Sequence, residues 1–173
     1  MAVEPDAWTK LFEPPPGPAG SVLALPVRIL HKRKRPFLLF PPVPRAAAVS
    51  LELYSAQKTL ARVLRGLLRR FFAMGLYPFT KNVKLAIPGH SELGSFLIGL
   101  QKRTPPLFCS LAGNPNAAGQ RFVFLLLDNE HQPQTVVKAG VGGRARELIE
   151  HETAFLLQHA ARLRNIPRVL DTL

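Results

Sequence analysis

The sequence has 173 residues, of which 47% are hydrophobic, and its formal net charge is +12. This hydrophobic content is enough to bury a core, so we do not expect a chain that is disordered over its whole length. No uncharged run approaches the roughly 18 to 20 residues that span a bilayer, and no signal-peptide core is found, so we expect a cytoplasmic protein. The single cysteine, Cys109, excludes an internal disulfide and is interpreted as a small core residue.

The positive charge is confined to one part of the chain. Residues 31–103 contain 14 of the 23 Lys and Arg residues but only two of the 11 acidic residues, so they account for the whole net charge. Many of the 17 prolines lie at 14–18, 36–44 and 105–106, and they divide the chain into blocks. We therefore predict three segments: an irregular N-terminal segment at 1–30, a basic, partly helical region at 31–104, and a charge-balanced unit at 105–173.

The basic region contains one predicted strand and two predicted helices. Residues 31–35 (HKRKR) are a basic run, and residues 36–40 (PFLLF) are predicted to form a short apolar strand. Apolar residues at three- and four-residue spacing predict one amphipathic helix from 50 to 74, ended by Gly75, and Ser91 is the predicted N-cap of another helix. The first helix has an apolar stripe of Leu53, Leu60, Leu64, Leu67, Leu68 and Phe71, and a cationic face of Lys58, Arg62, Arg65 and Arg69.

The cationic face has three interpretations. We expect a structural helix that packs on the following unit with its charges in solvent. An anionic membrane surface and a nucleic acid are the alternatives, because both attract positive charge. The region lacks a helix-turn-helix pattern, a zinc finger and an aromatic-glycine RNA-binding signature, so either interaction is expected to be nonspecific and to weaken as salt rises.

The C-terminal unit is predicted to be an antiparallel meander followed by a helix, which makes the fold class α+β. Apolar runs at 107–111, 121–127 and 135–139 are separated by turn-rich segments, and strands joined this closely pair antiparallel. A long helix is predicted at about 144–164, and residues 168–170 are predicted to begin a fourth strand. The helix residues expected to face the sheet are Leu148, Phe155, Leu156 and Leu163.

Residues 136–138 (VVK), the following glutamates and residues 166–170 (IPRVL) occur in the order typical of one enzyme family. About 69 residues, 105–173, resemble the N-terminal lobe of the aminoglycoside phosphotransferases and related kinase-like enzymes. The resemblance implies that Lys138 contacts the α- and β-phosphates of ATP and that a helix glutamate holds it. Glu152 fits the family spacing best, Glu147 is second, and Glu150 also competes. A solvated edge-strand lysine with solvated glutamates is the alternative.

The loop between the first two predicted strands is implied to cover the phosphates. It contains Gly113 and Gly119 but no G-x-G-x-x-G motif. If backbone approaches the nucleotide here, residues 114–119 would supply it. A hairpin turn without a ligand is an equally natural interpretation of this segment.

The resemblance also implies a catalytic aspartate and a magnesium-binding aspartate downstream of the helix. The sequence contains three aspartates, Asp6, Asp128 and Asp171, and no H-x-D triplet. We therefore expect a truncated or fragmentary ATP-dependent phosphotransferase that binds ATP weakly, uses magnesium only with the missing lobe and is inactive alone. A small hydroxylated or sugar-like acceptor is implied by the resemblance.

Two other functions stay open. One is a noncatalytic basic protein that uses residues 31–103 on an anionic membrane or a nucleic acid. The other is a Rossmann-type nucleotide-binding fragment, because residues 140–145 (GVGGRA) fit G-x-G-x-x-A between a strand and a helix. Lys138 and Ala139 interrupt the apolar strand before that motif, and a tight hairpin precedes it, which disfavours the Rossmann alternative.

Overall fold

The computed structural model describes residues 8–13, 21–33, 35–114, 119–159 and 168–172. Short 3-10 turns occur at Thr9–Leu11 and Leu51–Leu53. The strands and helices in chain order are β1 (Val22–Lys32), β2 (Arg35–Phe40), α1 (Pro44–Ser50), α2 (Thr59–Ala73), β3 (Thr80–Pro88), α3 (Glu92–Gln101), β4 (Phe108–Ala112), β5 (Gln120–Leu127), β6 (Pro133–Val141) and α4 (Gly143–His159).

The strands form one six-stranded sheet in the order β3-β1-β2-β4-β5-β6, and every pairing is antiparallel. The α+β class and the antiparallel arrangement of the C-terminal strands are therefore confirmed. The sheet also extends through the first two predicted segments, since β1, β2 and β3 belong to it. The prediction that residues 1–30 are irregular is wrong, because β1 begins at Val22.

Alternation along the strands gives the sheet two apolar faces. The first face packs against α3 through Leu93 and Leu97, and against the N-terminal Trp8 and Phe12. Trp8 is fully buried, and its indole Nε1 donates a hydrogen bond to the Ser110 hydroxyl at 2.8 Å. The second face is covered by α1 and α2. The sheet is therefore the middle layer of a three-layer arrangement.

The prediction of a single helix at residues 50–74 is wrong. Helix α1 ends at Ser50, the 3-10 turn follows, and α2 begins only at Thr59. The chain leaves the helical conformation at Tyr54, which has φ −92° and ψ 107°, and re-enters it after Lys58. Tertiary contacts hold Tyr54 there: Arg65 donates to its carbonyl oxygen at 2.9 Å, and Lys32 donates to its hydroxyl at 3.2 Å. The end at Gly75 is confirmed, since this residue has φ +77° and its N–H donates to the Phe72 carbonyl.

Two further predictions concern α3 and the C-terminal end. Ser91 caps α3 as predicted, and its hydroxyl accepts a hydrogen bond from the Gly94 N–H at 3.2 Å. Residues 168–170, predicted as a fourth strand, are described but have no regular structure, so that prediction is wrong. The predicted helix residues beyond His159, including Leu163, lie outside the described part of the chain. The prediction that Phe155 faces the sheet is wrong. Half of this side chain is exposed, and its ring lies against that of His159.

Candidate functional site

An ion pair joins the third strand of the meander to the last helix. Lys138 on β6 places its Nζ against Oε1 of Glu152 on α4, 14 residues further along the chain. The other predicted candidates do not compete for this lysine in the structure. Glu147 instead pairs with Arg144 on its own helix at 2.8 Å, and Glu150 is exposed. Of the three glutamates, Glu152 is the one that contacts Lys138.

The pair is accessible from solvent. The side chains of Lys138 and Glu152 are 42% and 38% exposed, so water screens their attraction and the pair contributes little to folding. Its main effect is on the position of the lysine: a long flexible side chain is directed toward one point. An ammonium group has three donors, and the contact with Glu152 leaves donors for an anion that enters from solvent.

Close packing of two glycines sets the position of α4. A Cβ atom at Gly140 would lie 2.6 Å from the Cβ of Ala145, and one at Gly119 would lie 2.5 Å from the backbone nitrogen of Ala145. Ala145 is fully buried by these contacts. The first turn of α4 is therefore held directly against β6 and the start of β5. This contact brings Glu152, two turns further along the helix, within reach of Lys138.

Apolar side chains share the sheet face of Lys138. Lys138 lies opposite Val123 in the β5–β6 register, and Val136 lies opposite Leu125. Residues opposite each other, and residues two apart on a strand, point to the same face. Val136 is 55% exposed, which leaves an uncovered apolar surface beside the cation. A ligand with a flat apolar part and an anionic part would match this combination.

The predicted loop glycines have identifiable roles in the hairpin. The Gly113 N–H donates to the Arg121 carbonyl at 2.7 Å, and a Cβ atom at Gly113 would approach that oxygen to 2.4 Å. Gly119 has φ +88°, a conformation that glycine adopts without strain. Both glycines thus close the β4–β5 connection and set it against the first turn of α4. The intervening residues 115–118, where backbone contact with phosphate was predicted, lie outside the described residues.

The packing of Gly140 on Ala145 was missed by the sequence analysis. The signal was present in residues 140–145, but these residues were considered only for a Rossmann phosphate turn, an alternative that the sequence disfavours. A Rossmann unit rests on parallel strands, whereas β6 pairs antiparallel with β5 and the described residues contain no parallel pairing. The strand pairing therefore gives no support to the Rossmann alternative.

Other reactive side chains do not add to this site. Cys109 is buried, its thiol lies 3.5 Å from the Ala46 carbonyl, and burial raises the thiol pKa far above its usual value. It is a core residue, as predicted. Within the described residues, no group of three or more His, Cys, Asp or Glu side chains is arranged to hold a metal ion. Equally, no helix in that part of the chain combines the length and apolar character needed to cross a membrane.

Comparison with known proteins returned no matching protein-family model, no matching curated protein and no matching solved structure.

Proposed function

We propose that this chain contributes the nucleotide-facing lobe of a kinase-like phosphotransferase, in which Lys138 contacts the α- and β-phosphates of ATP. The observation that carries the proposal is the ion pair between Lys138 on β6 and Glu152 on α4. A strand lysine held by a helix glutamate is the part of the kinase-like lobe that positions the nucleotide phosphates. The elements around the pair also follow the order of that lobe: two hairpin strands, a lysine-bearing strand and a helix.

The charge arrangement suits a phosphate ligand. Glu152 neutralises part of the Lys138 charge and directs the ammonium group, while the solvent-exposed side remains available. A phosphate oxygen that approaches there would gain a charge-assisted hydrogen bond. Because the carboxylate already fixes the lysine, ATP would lose less side-chain entropy of Lys138 on binding.

The apolar surface beside the lysine suits the base of the nucleotide. Val136 and Val123 lie on the Lys138 face, and Val136 is more than half exposed. An adenine ring placed against these valines would cover apolar area that water now contacts, and such burial contributes roughly 25 cal/mol per Å². Adenine on the valines and phosphates at the lysine would use both features of the surface together.

The proposed role of this lobe is binding and orientation. Lys138 would hold the phosphates and Glu152 would hold Lys138. Neither group would also accept the substrate proton, because the lysine is cationic and the carboxylate is paired with it. In phosphoryl transfer the proton acceptor and the magnesium ligands are separate carboxylate and amide groups. Magnesium and the phosphoryl acceptor, implied to be a small hydroxylated or sugar-like compound, would therefore be held by residues other than this pair.

Nucleotide titration of the isotopically labelled 173-residue chain tests the proposal. Addition of ATP is expected to shift the amide resonances of Val136, Lys138 and Gly119 with a dissociation constant in the millimolar range, and NAD is expected to act more weakly. A Lys138→Met variant should lose these shifts. The matched control is Lys84→Met on β3, an exposed lysine of another strand, which should retain them. Absence of shifts with saturating ATP, or equal loss in both variants, would remove the basis for the proposal.

A further inference from the structure

Helix α2 presents an uncovered apolar stripe. Its members follow one another at three- and four-residue spacing, which places them on one face of the helix. They are largely solvent-exposed: Leu60 at 80%, Val63 at 64%, Leu64 at 51%, Leu67 at 48%, and Met74 at the helix end at 63%. The helix is attached to the core through an adjacent face, by Leu68 and Phe72. Of the predicted stripe, Leu60, Leu64 and Leu67 are thus left in water, whereas Leu53, Leu68 and Phe71 pack on the core as expected.

More apolar surface follows the helix directly. Leu76 is 54% exposed and Phe79 is 79% exposed, both within six residues of Ala73. Phe79 has φ +62°, a left-handed conformation that is energetically unfavourable for a residue with a bulky side chain. Phe79 therefore keeps a strained conformation while its side chain stays in solvent, and it enlarges the exposed apolar surface beside α2.

One cationic group, Arg70, borders the stripe, and the other arginines of α2 lie on the opposite face of the helix. Helix α2 contains four arginines and no acidic residue. Three of the arginines already contact the protein: Arg62 the Gln57 carbonyl, Arg65 the Tyr54 carbonyl and Arg69 the Glu52 carboxylate. No hydrogen bond or ion pair joins the Arg70 guanidinium to another of the described residues. Arg70 follows Leu67 by three residues and Val63 by seven, so it lies along one edge of the stripe.

A hollow next to Arg70 collects further positive charge. It lies between α1 and α2, has a volume of about 750 Å³ and is lined by Arg45, Arg69 and Arg70 among other residues. Arg69 pairs with Glu52, and Arg45 donates to the side-chain oxygen of Gln132, which also lines the hollow. Small residues, Ala48, Gly66 and Ala73, leave the space between these arginines open. Guanidinium groups are planar donors that match the oxygens of a phosphate. The hollow is therefore suited to a phosphate group that arrives beside the apolar stripe.

We propose that α2 docks this chain onto an anionic phospholipid surface, with the leucine stripe among the acyl chains and Arg45 and Arg70 on lipid phosphates. A helix of 15 residues, about 22 Å long, fits in the plane of the interface. Apolar insertion and phosphate binding then take place side by side, as the headgroup region of a bilayer requires. This inference does not depend on nucleotide binding at Lys138.

Two other occupants fit these observations less well. Association with a second copy of the chain would be opposed by repulsion between two proteins of net charge +12. A nucleic acid would use the arginines but gain nothing from the exposed aliphatic stripe, since contacts with a phosphate backbone need no apolar insertion. An anionic bilayer is the partner that uses both the stripe and the arginines.

Labelled protein tests the insertion directly. Cys109 is the one cysteine of the sequence and is buried, so Leu64→Cys places a single accessible thiol on the stripe. An environment-sensitive dye at this position should become brighter and blue-shifted with phosphatidylcholine vesicles containing phosphatidylserine. The same dye at Leu157→Cys, an exposed position on α4, should respond little. A response at Leu157 equal to that at Leu64, or no response at either, would overturn the proposal.

Vesicle co-sedimentation with variants of the 173-residue chain tests the apolar and the cationic contributions to binding separately. Leu60→Ser/Leu64→Ser/Leu67→Ser should lower the partition coefficient by more than about tenfold, since three apolar side chains no longer insert. Arg45→Gln/Arg70→Gln should lower it by roughly fivefold per arginine, because each cation near an anionic surface contributes about that factor. The matched charge control, Lys81→Gln/Lys84→Gln on β3, should lower it less.

Several outcomes would contradict docking by α2. Equal loss in the arginine and lysine pairs would show that only net charge matters, and equal binding to vesicles without phosphatidylserine would remove the role of the arginines. A dye response that rises with protein concentration alone would identify a second copy as the occupant. A response to duplex DNA but not to vesicles would identify a nucleic acid.

Discussion

Two regions of the molecule place cations beside exposed apolar side chains, but they do so differently. At the β6–α4 end, one lysine is held by one carboxylate, and glycine contacts fix the helix that carries this carboxylate. On α2, Arg70 borders a row of exposed leucines, and its guanidinium has no partner among the described residues. The first arrangement fixes one charge at one point. The second extends an apolar row along a helix face and places a cation at its edge.

This difference separates recognition of a small molecule from recognition of a surface. A nucleotide presents its phosphates at a defined distance from its base, so a fixed lysine beside a small apolar area suits it. A lipid surface presents many mobile phosphates above a continuous apolar layer, so a row of leucines with Arg70 and Arg45 beside it suits that surface. The predictions below test whether α4 is tightly packed on β6 and whether the leucine stripe of α2 makes no contribution to the fold.

The largest effect is expected at the anchor of α2. Phe72 is fully buried. Its ring centroid lies 5.0 Å from that of Phe40 and 5.7 Å from that of Tyr77. Phe72→Ala should lower the free energy of unfolding by about 3–5 kcal/mol, because it removes buried apolar area and leaves a cavity. Urea denaturation followed by circular dichroism measures this change. A loss below about 1 kcal/mol would show that α2 is not attached through this residue.

The next effect contrasts two glycines. Gly140→Ala should destabilise the fold by about 1–3 kcal/mol, since the new methyl group would lie 2.6 Å from the Cβ of Ala145. Gly66→Ala on α2 should instead stabilise by about 0.5–1 kcal/mol, because it improves helix propensity and nothing lies within 4 Å of the added atom. Parallel urea titrations of both variants measure the difference. Changes of the same sign would contradict the tight packing of α4 on β6.

Local patterns explain which parts of the sheet the sequence could predict. The strands β4, β5 and β6 follow one another through short turns, so alternating apolar runs and turn residues sufficed. The first strand was missed because it contains Pro26 and follows the prolines at 14–18, which are typical of irregular structure. Pro26 lies in a part of β1 that pairs only with β3, since pairing with β2 begins at Arg28. A proline that lacks the N–H donor is tolerated where one edge of the strand is unpaired.

The helical region shows the limits of periodicity. Spacing correctly indicated one apolar face on α2, but it cannot show whether another element covers that face. The break near Tyr54 depends on contacts with Arg65 and Lys32, and the latter lies 22 residues away. The glutamate that contacts Lys138 depended similarly on the close approach of α4 to Gly140. Sequence spacing left three glutamates as candidates, and the helix position selects Glu152.

A smaller effect on stability is expected at the ion pair itself. Glu152→Gln should change the free energy of unfolding by less than about 1 kcal/mol, because both side chains are more than one-third exposed. Its effect on ATP binding should be larger, roughly five- to tenfold weaker, since Lys138 loses the group that directs it. Calorimetry or resonance shifts with ATP measure the affinity. Glu150→Gln, an exposed glutamate on the same helix, is the matched control and should bind ATP like the unaltered chain.

The smallest effect on folding is expected on the leucine stripe. Leu64→Ser replaces a side chain that is 51% exposed and does not belong to the buried core, so the free energy of unfolding should change by less than about 0.5 kcal/mol. Leu68→Ser, one turn further along on the buried face, should cost at least about 2 kcal/mol because it removes apolar contacts and introduces a buried hydroxyl. Urea denaturation in the absence of lipid compares the two. If Leu64→Ser destabilises as much as Leu68→Ser, the stripe contributes to the fold of the free protein, and its leucines are not available for insertion into a bilayer.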